Sequence, residues 1–299
     1  MKTRSGFASI IGRPNVGKST LINSLIGQKI AITSDKPQTT RNQIRGILTT
    51  DQGQVVFIDT PGIHKPKHRL GEFMVVSAQR TLQEVDLILY VIDASAEFGP
   101  GEEYILDQLA KVKTPVFLVI NKIDLISRSA ILATIEKYRN LGNFAEVIPV
   151  SAKEEENLDR LSQVIFKYLP EGPCFYPTDE ITDQPERFVM AELIREKVLL
   201  LTHEEIPHSI AVDIEDIKPR DNGIIFVRAV IYVERDSQKG ILIGKQGVML
   251  KDVGRLARED IQNLLGSQVF LDLWIKVKKD WRNSPSSLRN FGYDLRNNN

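Results

Sequence analysis

Short apolar runs alternate with amphipathic stretches through the first 170 residues of the chain. The apolar runs predict buried strands at residues 7–11, 55–58, 87–92, 116–120 and 147–150. Helical periodicity fills the gaps between them. Strands that alternate with helices need crossover connections, which produce a mostly parallel sheet with helices on both faces. The pattern therefore predicts an α/β domain.

Residues 43–49 follow a different pattern, because polar and apolar positions alternate there. A turn containing Asp51 and Gly53 separates this segment from the next predicted strand. A short turn of this kind joins antiparallel neighbours. We expect residues 43–49 to form an edge strand paired antiparallel with residues 55–58.

The pattern changes after residue 170. Residues 170–185 contain four prolines, and neither periodicity continues through them, as is typical of a linker. The pattern after this segment predicts a smaller α+β domain. Its elements are a helix at 186–202, strands at 210–217 and 224–234, a helix at 248–265 and a strand at 268–278. We expect a first domain at 1–170, a linker at 171–185, a second domain at 186–285 and a tail at 286–299.

Composition and charge narrow the class of protein. Lys and Arg total 39, and Asp and Glu total 39, so a globally basic nucleic-acid binder is excluded. The single cysteine, Cys174, allows no internal disulfide and no zinc cluster, which favours a reducing compartment, the cytoplasm. The chain has no apolar run of the roughly 18 residues that a membrane span needs, and residues 7–11 are too few for a signal peptide.

A glycine-rich loop follows the first predicted strand and precedes a predicted helix, and its sequence fits G-x-x-x-x-G-K-S. Backbone N–H groups in such a loop cradle phosphates, the lysine reaches the β- and γ-phosphates, and the serine binds Mg²⁺. An ordinary glycine turn would not place lysine and serine in register. The predicted phosphate-binding residues are Gly12, Arg13, Pro14, Asn15, Val16, Gly17, Lys18, Ser19 and Thr20.

A second motif, Asp59-Thr60-Pro61-Gly62, closes the strand at 55–58 and is followed by Ile63. The Asp59 carboxylate is suited to Mg²⁺, and the Gly62 N–H to the γ-phosphate. Isoleucine has no side-chain hydrogen-bonding group, so Ile63 cannot orient an attacking water, and unaided hydrolysis should be slow.

Two further motifs follow later strands and indicate which base is read. In Asn121-Lys122-Ile123-Asp124, the carboxylate can accept both hydrogens of the guanine N1 and N2, a donor pair that adenine lacks. Ser151-Ala152-Lys153 can present a backbone N–H to the guanine O6. An ATP-binding protein would explain Lys18 but not Asp124. The set predicts binding of GTP and GDP with Mg²⁺.

The second domain carries a G-x-x-G sequence before its longer helix. Paired glycines around Lys245 and Gln246 allow a tight turn to approach a sugar-phosphate backbone, as in the KH clamp on single-stranded RNA. Residues 239–282 hold nine basic and five acidic residues, which gives about +4 within a neutral chain. The predicted RNA-binding residues are Gly244, Lys245, Gln246, Gly247, Lys251 and Arg255.

In the last predicted strand, Asp272, Trp274, Lys276 and Lys278 alternate with apolar residues and face outward, either towards RNA or as a solvated edge. Trp281 receives no role from the sequence.

The strings GRPNVGKST, DTPG, NKID and SAK resemble the Era-like branch of the translation-factor-related P-loop GTPases. A P-loop GTPase domain followed by what resembles a type II KH domain is similar to the Era family over nearly the whole chain. The resemblance implies that Thr40 ligates Mg²⁺ together with Ser19 and Asp59, although Thr39 is a plausible rival. It also implies that Asn15 helps to hold a K⁺ ion. The expected catalytic residues are Lys18, Thr40, Gly62 and Asn15.

The resemblance further implies a GTP-hydrolysing switch that binds the 3′ end of the 16S ribosomal RNA and acts in assembly of the small (30S) ribosomal subunit. A monomer is expected, in the cytoplasm and partly at the inner face of the cell membrane. The alternative is a membrane-associated or cell-cycle signalling GTPase whose C-terminal domain binds a protein. The G-x-x-G favours RNA, because a protein-docking surface has no need of paired glycines facing phosphates.

Overall fold

The computed structural model describes residues 3–34, 36, 39–59, 69–81, 84–220 and 223–293. The chain divides into two compact units, of which the first comprises Met1–Pro66 and Gly71–Asp183 and the second Lys67–Leu70 and Gln184–Asn299. Across the described ranges, none of the helices has the length and apolar character that crossing a membrane would require.

A six-stranded sheet forms the centre of the first unit, in the order β2-β3-β1-β4-β5-β6. Its strands are β1 (Arg4–Ile11), β2 (Ile44–Thr50), β3 (Gly53–Asp59), β4 (Leu87–Asp93), β5 (Val116–Asn121) and β6 (Glu146–Pro149). All neighbouring pairs are parallel except β2 with β3, which are antiparallel. The mostly parallel α/β sheet and its antiparallel edge strand are therefore confirmed.

The described residues of the first unit form five α-helices: α1 (Lys18–Ile26), α2 (Arg69–Thr81), α3 (Pro100–Leu109), α4 (Arg128–Arg139) and α5 (Leu158–Tyr168). Every residue of β3 and β5 is buried, because both faces of these strands are covered. The carboxyl ends of β1, β3, β4 and β5 lie along one edge of the sheet, since these strands run in the same direction. The loops that follow β1, β4 and β5 therefore begin at this edge.

The proline-rich segment after α5 packs along the edge of this sheet. The Ile47 N–H of β2 donates to the Ile181 carbonyl at 2.8 Å, and the Thr182 hydroxyl donates to the Arg45 carbonyl at 2.7 Å. Arg45 also pairs with Asp183 at 2.9 Å. These bonds satisfy backbone groups that an edge strand otherwise leaves to water. Residues up to Asp183 thus belong to the first compact unit.

A three-stranded sheet forms the second unit, in the order β7-β8-β9. Its elements are α6 (Glu186–Leu201), α7 (Ile206–Ser209), β7 (Ala211–Pro219), β8 (Ile225–Val233), α8 (Asp236–Ile243), α9 (Val248–Leu265), β9 (Val269–Val277) and α10 (Pro285–Asn290). The two long helices and three strands agree with the predicted order to within two residues at each end. The short helices α7, α8 and α10 were not predicted, because four to eight residues give too little periodicity.

Trp281, which the sequence left without a role, is fully buried in the second unit. Its indole N–H donates to the Ser209 carbonyl at 2.9 Å. The ring packs edge-on against Phe291 and stacks with Tyr293, with centroids 5.3 and 6.2 Å apart. The segment after β9 is therefore anchored to the second unit by an aromatic cluster.

The two tryptophans of the chain form a matched pair for testing this anchor, since Trp281 is fully buried and Trp274 is 55% exposed. Trp281→Ala should lower the free energy of unfolding of the second unit by about 3–5 kcal/mol, because a large cavity opens and a carbonyl loses its donor. Trp274→Ala should cost under about 1 kcal/mol. Denaturant unfolding followed by circular dichroism and by the remaining tryptophan's fluorescence measures both. Equal losses in the two variants would contradict the anchor.

Candidate functional site

Two glycines of the loop between β1 and α1 sit where no other residue fits. Gly12 has φ 156°, and a Cβ there would lie 2.3 Å from the Val91 carbonyl oxygen. Gly17 has φ 96°, and its Cβ would lie 2.3 Å from the Asn121 side-chain nitrogen. The loop therefore depends on glycine at both ends of the G-x-x-x-x-G spacing.

Lys18 begins α1 with a side chain that the loop encloses. Lys18 is 7% exposed, and its ammonium donates to the Gly12 and Arg13 carbonyls at 3.1 and 2.8 Å. Burial lowers the pKa of Lys18 to about 8, although the nearby Asp59 carboxylate favours the charged form and opposes part of this shift. A buried cation at a helix N-terminus creates a strong preference for an anion.

Three oxygen-bearing side chains meet beside Lys18. The Asp59 Oδ2 accepts hydrogen bonds from the Ser19 hydroxyl at 2.8 Å and from the Thr40 hydroxyl at 3.1 Å, and the two hydroxyls are 3.1 Å apart. Burial raises the pKa of Asp59, while Lys18 and the two hydroxyls act in the opposite direction. The buried Asp59 Oδ1 accepts no hydrogen bond within the described part of the chain. Oxygen donors with an unsatisfied carboxylate oxygen fit a hard divalent cation such as Mg²⁺.

Thr39 and Thr40 differ in where their hydroxyls go. The Thr40 hydroxyl belongs to the Asp59 cluster, whereas the Thr39 hydroxyl donates to the Lys36 carbonyl at 2.6 Å. Thr40 is also 6% exposed. The geometry places Thr40, and not Thr39, with the other predicted metal ligands.

The predicted base-reading motifs are joined by their own hydrogen bonds. The Asn121 amide donates to the Val16 carbonyl at 2.8 Å and accepts from the Ala152 N–H at 2.9 Å. The Ser151 hydroxyl donates to the Asp124 carboxylate at 2.6 Å. Asn121 therefore ties together the phosphate loop and both motifs that were predicted to read guanine.

Arg13 lies in the predicted phosphate loop, but its side chain extends to α3. Its guanidinium donates to both carboxylate oxygens of Glu102 at 2.8 and 2.9 Å. A Cβ on Gly101 would lie 3.0 Å from the Arg13 side chain, so the glycine leaves room for this course. The Arg13 carbonyl accepts a hydrogen bond within the loop, whereas the Arg13 side chain attaches the loop to α3.

A cavity of about 410 Å³ lies among these groups. It is lined by Pro14, Asn15, Gly17, Lys18, Ser19, Thr20, Thr33, Ser34, Lys36, Thr39, Thr40 and Lys122. Thr33, Ser34 and Lys36, which precede the predicted threonine pair in the sequence, were not predicted to lie at this site. Thr60, Pro61, Gly62 and Ile63 lie outside the described residues. Of the other predicted residues, Ile123 and Ala152 are buried, and Lys153 is exposed and pairs with Glu154.

The G-x-x-G forms a tight turn between α8 and α9. Gly244, Gln246 and Gly247 all have positive φ, of 71°, 53° and 78°. A Cβ on Gly244 would lie 2.7 Å from the Met249 Cβ, whereas a Cβ on Gly247 would meet nothing within 4 Å. The turn leaves Lys245 and Gln246 exposed at its tip.

A second cavity, of about 420 Å³, runs from this turn between α9 and β9. It is lined by Gly247, Leu250, Lys251, Gly254, Arg255, Arg258, Phe270, Leu271 and Leu273. Lys251 and Arg255 were predicted, but Arg258 was missed, although its spacing of seven from Lys251 places it on the same helix face. An apolar floor with a basic rim suits bases and phosphates respectively.

The outward face of β9, which the sequence predicts to face either RNA or solvent, carries polar groups that bond one another. Trp274 and Lys276 are exposed, but the Asp272 carboxylate accepts from both the Trp274 indole N–H and the Arg228 guanidinium at 3.0 Å. Lys276 pairs with Glu215 at 2.7 Å. The second cavity is lined by Leu271 and Leu273 from the opposite face of the strand, together with Phe270.

Comparisons with known proteins agree with this geometry. Residues 7–122 match the family model described as 50S ribosome-binding GTPase, and residues 205–282 match the model of the KH domain. The GTPase Era of Heliobacterium modesticaldum is 62% identical over 293 residues, which cover 98% of each chain. The crystal structure of an Era variant of Aquifex aeolicus bound to GDP and AlF4⁻ is 43% identical, with a TM-score of 0.95 over 98% of this chain and 100% of that chain.

A crystal structure of Era in complex with MgGDPNP and nucleotides 1506–1542 of the 16S ribosomal RNA is also 43% identical, with a TM-score of 0.92 and the same coverage. The fold and the motifs define a P-loop GTPase with a C-terminal KH domain. Identity of 62% over nearly the whole length narrows this class further: the chain belongs to the Era family of GTPases.

The lowered pKa of Lys18 predicts how the stability of the nucleotide-free chain depends on pH. The folded pKa of about 8 lies below the ordinary value of 10.5, so the unfolded chain binds more protons between these values. The free energy of unfolding should therefore rise with pH across this window, by on the order of 3 kcal/mol from this group.

Lys18→Met should remove that rise, and Lys111→Met, at an exposed position of the same unit, should retain it. Denaturant unfolding at a series of pH values from 7 to 10 gives the difference between wild type and each variant. The same slope in wild type and Lys18→Met would show that the Lys18 ammonium is not destabilised by burial.

Proposed function

We propose that this chain is a GTP-hydrolysing switch that binds single-stranded RNA at the 3′ end of the 16S ribosomal RNA and acts in assembly of the 30S subunit. The observation that carries the nucleotide part is the cluster of Ser19, Thr40 and Asp59 oxygens beside the buried Lys18 ammonium. A cation and a set of hard oxygen donors in one cavity match a Mg²⁺-bound polyphosphate.

Ser19, Thr40 and Asp59 would hold Mg²⁺, which in such sites bridges the phosphates and neutralises part of their charge. Lys18 contributes its positive charge where negative charge develops on the phosphates during hydrolysis. Asp124, oriented by the Ser151 hydroxyl, accepts hydrogen bonds from guanine. Asn15 lines the same cavity, consistent with a role in holding K⁺.

The RNA part is supported by the cavity beside the G-x-x-G turn and by a relative. That relative, an Era, was crystallised with nucleotides 1506–1542 of the 16S ribosomal RNA. In this chain Lys251, Arg255 and Arg258 line an apolar cavity at the turn, which suits a single strand whose bases are unstacked. We place this activity in the cytoplasm and partly at the inner face of the cell membrane, with the chain acting as a monomer; the family resemblance supports these assignments.

The two threonines give a direct test of the proposed metal site. Thr40→Ala should raise about tenfold the Mg²⁺ concentration needed for half-maximal binding of a non-hydrolysable GTP analogue, because one oxygen of the cluster is lost. Thr39→Ala is the matched control and should change it less than about twofold, because its hydroxyl bonds a carbonyl instead. A titration of Mg²⁺ with a fluorescent analogue measures both. The reverse order of effects would assign the metal to Thr39.

RNA binding is tested at Gly247, where the positive φ of 78° and the open space suit Asn and Asp equally. Gly247→Asp should weaken binding of a pyrimidine-rich single strand at least about tenfold, since a carboxylate in the clamp repels phosphate. Gly247→Asn has nearly the same shape without the charge, and should remain within about threefold of wild type.

The affinities are measured at one stated salt concentration, with GDP and with a non-hydrolysable GTP analogue. Wild-type affinity should be higher with the analogue, and guanine-nucleotide binding should be unchanged in both Gly247 variants. Absence of RNA binding, or indifference to both nucleotide and variant, would overturn the RNA assignment and favour a protein partner for the second unit.

A further inference from the structure

Asn15 occupies a backbone conformation that needs support from its surroundings. Its φ of 68° lies in the left-handed region, which asparagine tolerates better than most residues but which still costs free energy. The Lys122 ammonium donates to the Asn15 carbonyl at 2.8 Å. This bond is charge-assisted, and it fixes the carbonyl in the middle of the phosphate loop.

Fixing one carbonyl also fixes the next N–H group. A trans peptide is planar, and its C=O and N–H point in opposite directions. The N–H of Val16 therefore points away from the Lys122 ammonium that holds the Asn15 carbonyl. Backbone N–H groups are the donors by which a phosphate loop binds its ligand, so the direction of this peptide matters for binding.

Lys122 by itself cannot hold the Asn15–Val16 peptide in a fixed direction. Its side chain is a flexible stem with a strongly hydrated ammonium, and it is 32% exposed. The Asp93 Oδ2 accepts from the same ammonium at 2.6 Å, and the Asp93 side chain is 14% exposed. An ion pair that is partly removed from water is screened less by salt than a fully exposed pair.

Asp93 in turn is rigidly placed. It is the last residue of β4, and its backbone is paired with Asn121 at the end of β5. Its Oδ1 accepts from the N–H and the hydroxyl of Ser95 at 2.9 and 2.6 Å. Burial alone would raise the pKa of Asp93, but the bonds from Lys122 and Ser95 outweigh it, so the pKa lies below the usual value and the carboxylate stays charged.

We propose that Asp93 is a positioning residue for the nucleotide site. Its carboxylate holds the Lys122 ammonium on the Asn15 carbonyl, and this contact fixes the phosphate loop. The contacts connect the end of β4 to the loop: the Asp93 carboxylate binds the Lys122 ammonium, which binds the Asn15 carbonyl. Asp93 does not line the nucleotide cavity, whereas Asn15 and Lys122 do. The inference rests on the proposed function, because it concerns how firmly a guanine nucleotide is held.

The test is the rate at which a fluorescent GDP dissociates from the full chain with Mg²⁺ present. Asp93→Asn keeps the shape of the side chain and removes its charge, and should accelerate dissociation about tenfold. Ser95→Ala lies at an exposed position and leaves the fold intact, and should change the rate in the same direction by a smaller factor. Asp107→Asn, on the exposed face of α3, is the matched control and should leave the rate within twofold of wild type.

A double-mutant cycle separates action through Lys122 from a general loss of stability. If Asp93 acts through Lys122, the variant with both Asp93→Asn and Lys122→Met should release GDP no faster than Lys122→Met alone. Two effects that multiply in the double variant would overturn the inference, and so would an Asp93→Asn rate within twofold of the control. A wild-type chain that binds no guanine nucleotide would instead overturn the proposed function, and this inference with it.

Discussion

Parallel pairing of β1 with β3 and β4, and of β4 with β5, is the constraint on which the nucleotide site depends. The register places Asp59 beside Ile10, Tyr90 beside Ile11 and Asn121 beside Asp93. Residues distant in sequence therefore reach the same edge of one sheet, because each crossover connection returns the chain to start the next parallel strand. A shift of one residue in a single pair would turn these side chains to the opposite face of the sheet. Because both faces of β3 and β5 are buried, such a shift would misplace closely packed side chains on both faces at once.

Much of this arrangement could be predicted from the chain because its signals are local. The Gly12 to Ser19 motif, the short apolar strands and the helix at Val248–Leu265 each depend on spacing within a few residues, and the structure places them as expected. The pairing of Arg13 with Glu102 could not be predicted, since 89 residues separate the two side chains. The role of Trp281 could not be predicted for the same reason, because 72 residues separate it from Ser209, whose carbonyl accepts its indole N–H.

The two sites make different use of glycine. In the first unit, Gly12 and Gly17 allow other parts of the chain to approach within a distance that a Cβ would forbid, and this closes the loop tightly. In the second unit, Gly244 fills the same role against Met249, but Gly247 faces open space and supplies only its positive φ. A rigid loop suits a small, fixed polyphosphate, whereas an open turn beside an apolar cavity suits a polymer whose bases vary.

Buried charges are compensated differently in the two units. In the second unit, the fully buried Arg195 lies at hydrogen-bonding distance from Glu192, and Lys197 pairs with Glu196 and Asp260, so opposite charges neutralise one another. In the first unit, the Lys18 ammonium donates to backbone carbonyls. Burial lowers the pKa of Lys18 and raises the pKa of Asp59, and both shifts favour the neutral form of the side chain. Opposite charges that pair in the interior offset part of their desolvation cost, whereas ionisable groups whose pKa is shifted by burial are concentrated at functional sites. A polyphosphate with a divalent cation offsets both costs at once, since its negative charge stabilises the ammonium and its metal stabilises the carboxylate.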